Sequence, residues 1–396
     1  MLNGFLRTVR KIYFSHCFVL WMILVVLPVG VSIFMLDMFS SQIVQHVPIG
    51  IVSQDHSQLA DKLEMSLRSS PVLDVKMSCV DMSECEHAVI RGDLQSFVVI
   101  PNDLERRSYR FETPVIPIYS SGQNYLTNMF ATKEIRAVIT SVGADMFTSQ
   151  IPDPVRTEIH SVGNVSGNYQ GFLALGLVAA MFHLAAMLVG VFVASFPLRD
   201  HRVLEMLRYA KGSRLTLFLA SIIPMDIVLW LGAMACYAYC HRALMPMTLN
   251  EFVMVSAAQL FMIVACSGAG FTFVGVVGIM RIATGVAGVV GGPAFAFAGQ
   301  TYPLMAMPFA VRCFAFLLPL THTLKIQSMM LLGDVGLEPS WEVLKLLIGM
   351  AIFWNIFGAF VMSMRWKQHK NLESGRRQVR FAAAAARRAE ASAEVK

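Results

Sequence analysis

The stretch LRDHRVLEMLRYAKGSR (Leu198–Arg214) decides how this chain is organised. It is short and basic, and it lies between two long apolar runs, Gly171–Pro197 and Leu215–Cys240. Each run exceeds the ~20 apolar residues that a helix needs to cross a bilayer. The stretch is therefore a loop between two spans. Its Arg199, Arg202, Arg208, Lys211 and Arg214 outnumber Asp200 and Glu205, and short loops rich in Lys and Arg stay on the cytoplasmic side. Leu204, Met206, Leu207 and Tyr209 also give the loop an apolar face, which a plain connector does not need.

Composition agrees with a membrane protein. The 396 residues are 56% hydrophobic and only 15% charged, and their mean hydropathy is +0.58. That is too apolar for a soluble globular chain. The net charge of +6 gathers at the termini and in the loop, which argues for topology and anionic lipid rather than nucleic acid as the partner. The seven cysteines lie mostly in apolar runs and form no CxxC or Cys/His metal spacing, so no metal site is expected.

Outward from the loop, residues 1–14 read as an amphipathic helix at the membrane surface. Leu2, Phe5, Leu6, Val9, Ile12 and Tyr13 recur at helical spacing, with Arg7, Arg10 and Lys11 between them. Residues 15–40 hold the first span, an uncleaved anchor that contains Pro28 and Gly30. Residues 41–170 then fall outside the cell and read as an α/β domain. Strand candidates are Val47–Ser53, Leu73–Met77, Ser96–Pro101 and Val115–Tyr119. Asp55 with Gln58 reads as a cap opening a helix over His56–Ser69, and Ser83 with Glu86 as a capping box for a helix to Arg91. A long helix over Asn124–Ser149 carries the stripe Tyr125, Met129, Ile135, Ile139, Val142 and Met146. Ile151–Asn168 is a linker.

Five more spans follow within residues 171–364: Gly171–Phe196, Leu215–Tyr239, Phe252–Met280, Ile282–Gln300 and Trp341–Met364. Only Arg281 separates the middle two, so a tight turn is expected there. Gly268, Gly270, Gly275, Gly278, Gly285, Gly288, Gly291 and Gly292 offer small surfaces for close helix contact. Residues 301–323 are apolar, but Pro303, Pro308 and Pro319 cut them into pieces too short to cross; they read as a re-entrant segment. Residues 365–396 are a basic cytoplasmic tail. Six spans with both termini inside satisfy every basic segment.

The chain carries no GxxxxGK[ST], HExxH or GxSxG motif. No catalytic residue, cofactor-binding residue or metal ligand can be named, and an enzyme is not expected. Two polar features stand out. Asp226 is an acid inside a span, which invites an ion-coupling reading beside the plainer one of helix packing, with His183 as the other ionisable group nearby in the spans. Cys79 and Cys85 are close enough to form a disulfide in an oxidising compartment, though their spacing does not demand it.

The architecture and two local sequences resemble a known family, the permease subunits of type-2 ATP-binding-cassette (ABC) exporters, in the branch with a large extracytoplasmic domain after the first span. IGIVSQDHS (Ile49–Ser57) looks like the opening strand of that domain. GQTYPLMAMP (Gly299–Pro308) resembles the family's signature of a small residue, an aromatic-Pro pair and Met-Pro, followed here by Pro319, Thr321 and His322. In the loop, Leu204, Glu205 and Leu207 match the family's pattern around its Glu. Arg202 and Val203 stand where Gly and Thr are usual, and Lys211 where proline is common.

The resemblance implies a half-transporter that dimerises with an identical or paralogous permease and is driven by a separate cytoplasmic ABC ATPase. It implies that the N-terminal helix and the loop, through Arg202, Leu204, Glu205, Leu207 and Arg208, contact that ATPase. It implies an outer gate built from Tyr302, Pro303, Met307, Pro308, Pro319 and His322. A periplasmic adaptor and an outer-membrane channel are compatible further partners, and the bacterial inner membrane is the expected location. Drug-like or lipid-like amphiphiles are the expected cargo. Two readings compete: an ion-coupled carrier using Asp226, and a membrane-anchored scaffold or signalling protein.

Overall fold

The computed structural model describes residues 2–14, 26–38, 46–110, 112, 114–120, 125–147, 169–199, 202–243, 247–331 and 337–394. The chain divides into two compact units, one of residues Met1–Ser40 with Val162–Lys396, the other of Ser41–Ser161.

The smaller unit is built on a four-stranded sheet. Its strands are β1 (Val47–Ser53), β2 (Leu73–Ser78), β3 (Ser96–Ile100) and β4 (Ile118–Ser120), in spatial order β2-β1-β3-β4. The first three are parallel and β4 is antiparallel to β3. Parallel neighbours need crossover helices, and these are α3 (Gln58–Ser69) and α4 (Met82–Arg91); α5 (Leu104–Tyr109) and α6 (Tyr125–Phe147) follow. Strand β3 is buried along its whole length, as a run of SFVVI covered on both faces should be. The fourth strand is shorter than the apolar run suggests, because Pro117 lacks the N–H that a ladder requires.

Both sequence-level caps move. Helix α3 begins at Gln58 with Ser57 as its cap, whose hydroxyl accepts from the Ala60 amide. Asp55 instead accepts from the Ser57 hydroxyl and from the Leu104 amide that opens α5, each at 2.9 Å. Slight burial pushes the Asp55 carboxyl up, but hydrogen bonds from the Ser57 side chain and from the Glu105, Leu104 and Ser57 amides outweigh it and hold it below the usual carboxylate range. Helix α4 is capped by Asp81, not Ser83. Along α6 the inward stripe is Asn128, Ala131, Ile135 and Val142, whereas Met129 is exposed.

The larger unit is helical. It contains α1 (Leu2–Phe14), α2 (Leu27–Met38), α7 (Tyr169–Ser195), α8 (Val203–Tyr209), α9 (Arg214–Ala243), α10 (Leu249–Val277), α11 (Met280–Gly291), α12 (Ala294–Phe297), α13 (Phe309–Leu317), α14 (Pro319–Leu331) and α15 (Leu337–Glu394). Among the described residues five segments are long and apolar enough to cross a bilayer: α7, α9, α10, α11 with α12, and the first part of α15. The expected first span lies partly outside the described residues; its C-terminal part is the apolar α2, with Pro28 and Gly30 inside it. The linker Ile151–Asn168 also lies outside them.

The turn between α10 and α11 is made by Gly278, at φ 76°, rather than by Arg281, which is helical. Small residues govern packing at two crossings, α7 with α10 and α10 with α15. A Cβ on Gly268 would lie 2.9 Å from the Asn355 amide nitrogen, one on Gly270 2.6 Å from the Met187 carbonyl, and one on Gly358 2.8 Å from the Gly268 carbonyl. Only glycine permits α7, α10 and α15 to approach so closely. Gly285 and Gly288, by contrast, have no packing partner within 4 Å of an added Cβ among the described residues.

The broken pair sits further along the chain than the expected 301–323. Helices α13 and α14 meet at 83° across Leu318. Pro303 and Pro308 break no helix; they flank a single 3₁₀ turn, Leu304–Ala306. The basic tail is continuous with the last span, since α15 runs unbroken to Glu394.

Candidate functional site

The loop quoted first forms a seven-residue helix, α8, held by long-range contacts. Val203, Met206 and Leu207 are buried in the helical core together with Ile12 and Tyr13 of α1. Leu204 and Glu205 are half-buried, and Arg208 is exposed. From α1, Lys11 reaches Glu205 at 3.4 Å and stands over the Tyr209 ring, 5.9 Å from its centroid. Gly4 of α1 faces the Tyr209 carbonyl so closely that an added Cβ would lie 3.3 Å from it. Ile12 and Tyr13 of the apolar face of residues 2–14 are thus spent on α8 and α9, where the Tyr13 hydroxyl donates to the Ser221 carbonyl, while Leu2 and Leu6 stay exposed.

Helix α8 lacks a cap of its own, for Arg202 offers no side-chain acceptor. The carboxylate of Glu373, far along α15, takes that place. Its two oxygens accept from the Val203 and Leu204 amides at 3.1 Å each. The helix ends where Lys211, at φ 54°, and Gly212, at φ 82°, turn left-handed in succession. A proline at 211 would be excluded, because its ring locks φ near −65°. The Lys at this position, where proline is common in the resembled family, is compatible with that backbone.

Of the five loop residues singled out from sequence, Leu207 faces inward and is unavailable to a partner, while Leu204, Glu205 and Arg208 share the accessible side. Lys11 and Glu373 were missed as parts of the site. The only trace of Glu373 in the sequence is an acid among Lys367, Lys370, Arg376 and Arg377.

The second candidate region is the broken pair. Ending α13 at Leu317 leaves carbonyls without partners in the following turn, and Pro319 has no N–H to give. Side chains of α14 repair this. Thr321 Oγ1 donates to the Ala315 carbonyl at 2.6 Å, and His322 Nε2 lies 2.9 Å from the Phe316 carbonyl, which makes Nε2 the protonated nitrogen. Pro319 and His322 are therefore buried structural parts of the break. Met307 is also buried, whereas Tyr302, Pro303 and Pro308 are exposed.

Asp226 is buried in α9 beside Ser267 of α10 and near Tyr13. Its Oδ1 has no hydrogen-bond partner among the described residues, and neither ring nitrogen of the buried His183 has one either. The two are not paired. Cys79 and Cys85 are bonded, Cα to Cα 5.9 Å, joining the segment after β2 to α4. Among the described residues no group of three or more His, Cys, Asp or Glu side chains could hold a metal ion.

A family model described as ABC-2 family transporter protein matches residues 17–360, nearly the whole chain. The chain belongs to the ABC-2 transporter family. Membership implies an ABC transporter permease in a lipid bilayer, partnered by an ATPase subunit, and the apolar helices fit a multi-pass membrane protein. No curated protein matches the chain. Within this ABC-2 permease, α8 is a short helix lying in sequence between two candidate spans, with its first amides capped by Glu373 of α15.

Proposed function

We propose that this chain is the membrane half of an ATP-driven exporter that moves drug-like or lipid-like amphiphiles out across a bacterial inner membrane. It has no ATP site of its own and works as a dimer of permeases with cytoplasmic ATPase subunits. The observation that carries this reading is α8. It sits between two spans, is anchored by α1 and α15, and leaves Leu204, Glu205 and Arg208 accessible to a motor. An element fixed in this way moves as one body with its spans when pushed, so closure of the ATPases is converted into motion in the membrane.

In this reading both termini and α8 are cytoplasmic, as their Lys and Arg content favours. The sheet-containing unit lies outside, in keeping with its disulfide. The apolar spans with few buried charges suit an amphiphile better than an ion. The broken pair α13–α14, with its exposed approach around Tyr302, forms the outer end of the path.

The test is purification of the chain in mild detergent from its host, with mass spectrometry of what accompanies it. A stoichiometric soluble subunit carrying GxxxxGK[ST] is the expected result. A chain that emerges alone and transports in liposomes without ATP overturns the proposal.

A further inference from the structure

The last helix does more than cross the membrane. Within eleven residues of α15, three polar contacts tie it to three different helix ends. The Ser363 carbonyl accepts from Arg214 Nη1, at the start of α9, at 3.1 Å. Arg365 straddles the end of α10, donating to the Gly275 and Val276 carbonyls at 3.1 and 2.8 Å. Glu373 caps α8 through two amides at 3.1 Å. Between them Trp366 is fully buried. Two of the three contacts match charge to backbone dipole: a cation on the carbonyls ending α10, an anion on the amides opening α8.

We infer that residues 363–373 of α15 are a brace that couples α8 to α10 and α15, with Glu373 as its positioning residue. This inference rests on the exporter reading of α8. Without Glu373, a push on α8 is delivered to its sequence neighbours, α7 and α9, and to α1, which packs on it. Through Glu373 it also reaches α15, and through Arg365 and the close glycine contacts it reaches α10. The carboxylate suits this role because it accepts from two amides at once, which fixes the direction of α8 as well as its distance. Glu373 is 95% buried, whereas the neighbouring Lys370 and Leu372 are exposed. A carboxylate buried to that degree in a basic tail is held for its partners.

The experiment uses the full permease co-purified with its ATPase in proteoliposomes, comparing wild type, Glu373→Ala and Glu373→Gln. For each variant it reads ATP turnover, cargo moved per ATP and retention of the ATPase on the permease. Losing charge-assisted bonds to both amides should cut cargo moved per ATP about 10-fold in Glu373→Ala. Membrane insertion and ATPase retention should stay at the wild-type level. Glu373→Gln keeps one acceptor oxygen and should recover part of the loss. If Glu373→Ala is lost from the membrane, Glu373→Gln decides, since it preserves shape: a lower ratio of transport to hydrolysis supports the brace, and a wild-type ratio overturns it. A wild-type ratio in Glu373→Ala overturns it as well. A wild-type chain that brings down no ATPase refutes the exporter reading instead, so the two failures are distinguishable.

Discussion

Glu205 stands between the chain and its expected motor, half-exposed and paired with Lys11 at 3.4 Å. Ion pairs of this exposure contribute about 0–1 kcal/mol, so Glu205→Lys should leave folding and membrane insertion intact. It sets two lysines against each other and reverses the charge offered to a partner. Transport per ATP should collapse while the protein level holds; coupled transport at the wild-type rate would remove Glu205 from the docking surface. Asp226 calls for the opposite outcome. Its unpartnered Oδ1 lies in a packed crossing of α9, α10 and α1, with no metal-ligand cluster among the described residues. Asp226→Asn keeps the shape and removes the proton-carrying group that ion coupling would need. Vesicle export by that variant should proceed at the wild-type rate, and a loss of transport with folding intact would revive the ion-coupled carrier. Both residues were visible in the sequence as acids in telling places. What each one touches was not, because Lys11 and Ser267 come from other elements.

At the scale of elements, the glycines divide by what they meet. Gly268 leaves no room for a Cβ against the Asn355 and Trp354 backbone, whereas an added Cβ on Gly285 meets nothing within 4 Å among the described residues. Gly268→Ala should therefore destabilise the purified protein by about 1–3 kcal/mol through overpacking. Gly285→Ala should be neutral or mildly stabilising, by up to ~1 kcal/mol of helix propensity; thermal melting in detergent distinguishes them. In the sheet unit, the Cys79–Cys85 bridge closes a short loop between β2 and α4. Replacing both cysteines by serine should cost about 2 kcal/mol, read as faster hydrogen exchange over β2 and α4 in the intact protein. Strands and spans were legible because period and length announce them. The caps at Ser57 and Asp81 were not: several side chains within two residues compete for one amide, and for Asp55 the decision fell to the Leu104 amide of another helix. The brace at Glu373 was illegible for the same reason over a longer distance, since its partners lie 170 and 169 residues away.

For the whole molecule, the exporter reading makes the broken pair α13–α14 the outer end of a path. Cys313 of α13 is the exposed free cysteine among the described residues, while Cys236, Cys240 and Cys266 are buried. In a Cys17→Ser background, a membrane-impermeant maleimide added to intact spheroplasts should modify Cys313. Labelling only after the membrane is permeabilised would place α13 on the inner side and reverse the proposed path.

The sequence by itself made legible the membrane class, the apolar spans within 171–364 and an α/β unit after the first span, which falls within Ser41–Ser161 rather than reaching residue 170; from Lys and Arg it set only the orientation that the exporter reading uses. These depend on local hydropathy and on charge near each span, which every stretch carries within itself. The tertiary structure decided that α8 is clamped by α1 and α15, that the broken pair lies at Phe309–Leu331, and that only some of the glycines are crossing points. Those outcomes rest on which distant atoms meet: a carboxylate on two amides, a threonine hydroxyl on a freed carbonyl, one backbone against another. Hydrogen bonds and close packing are satisfied between elements, and no window of sequence contains both partners.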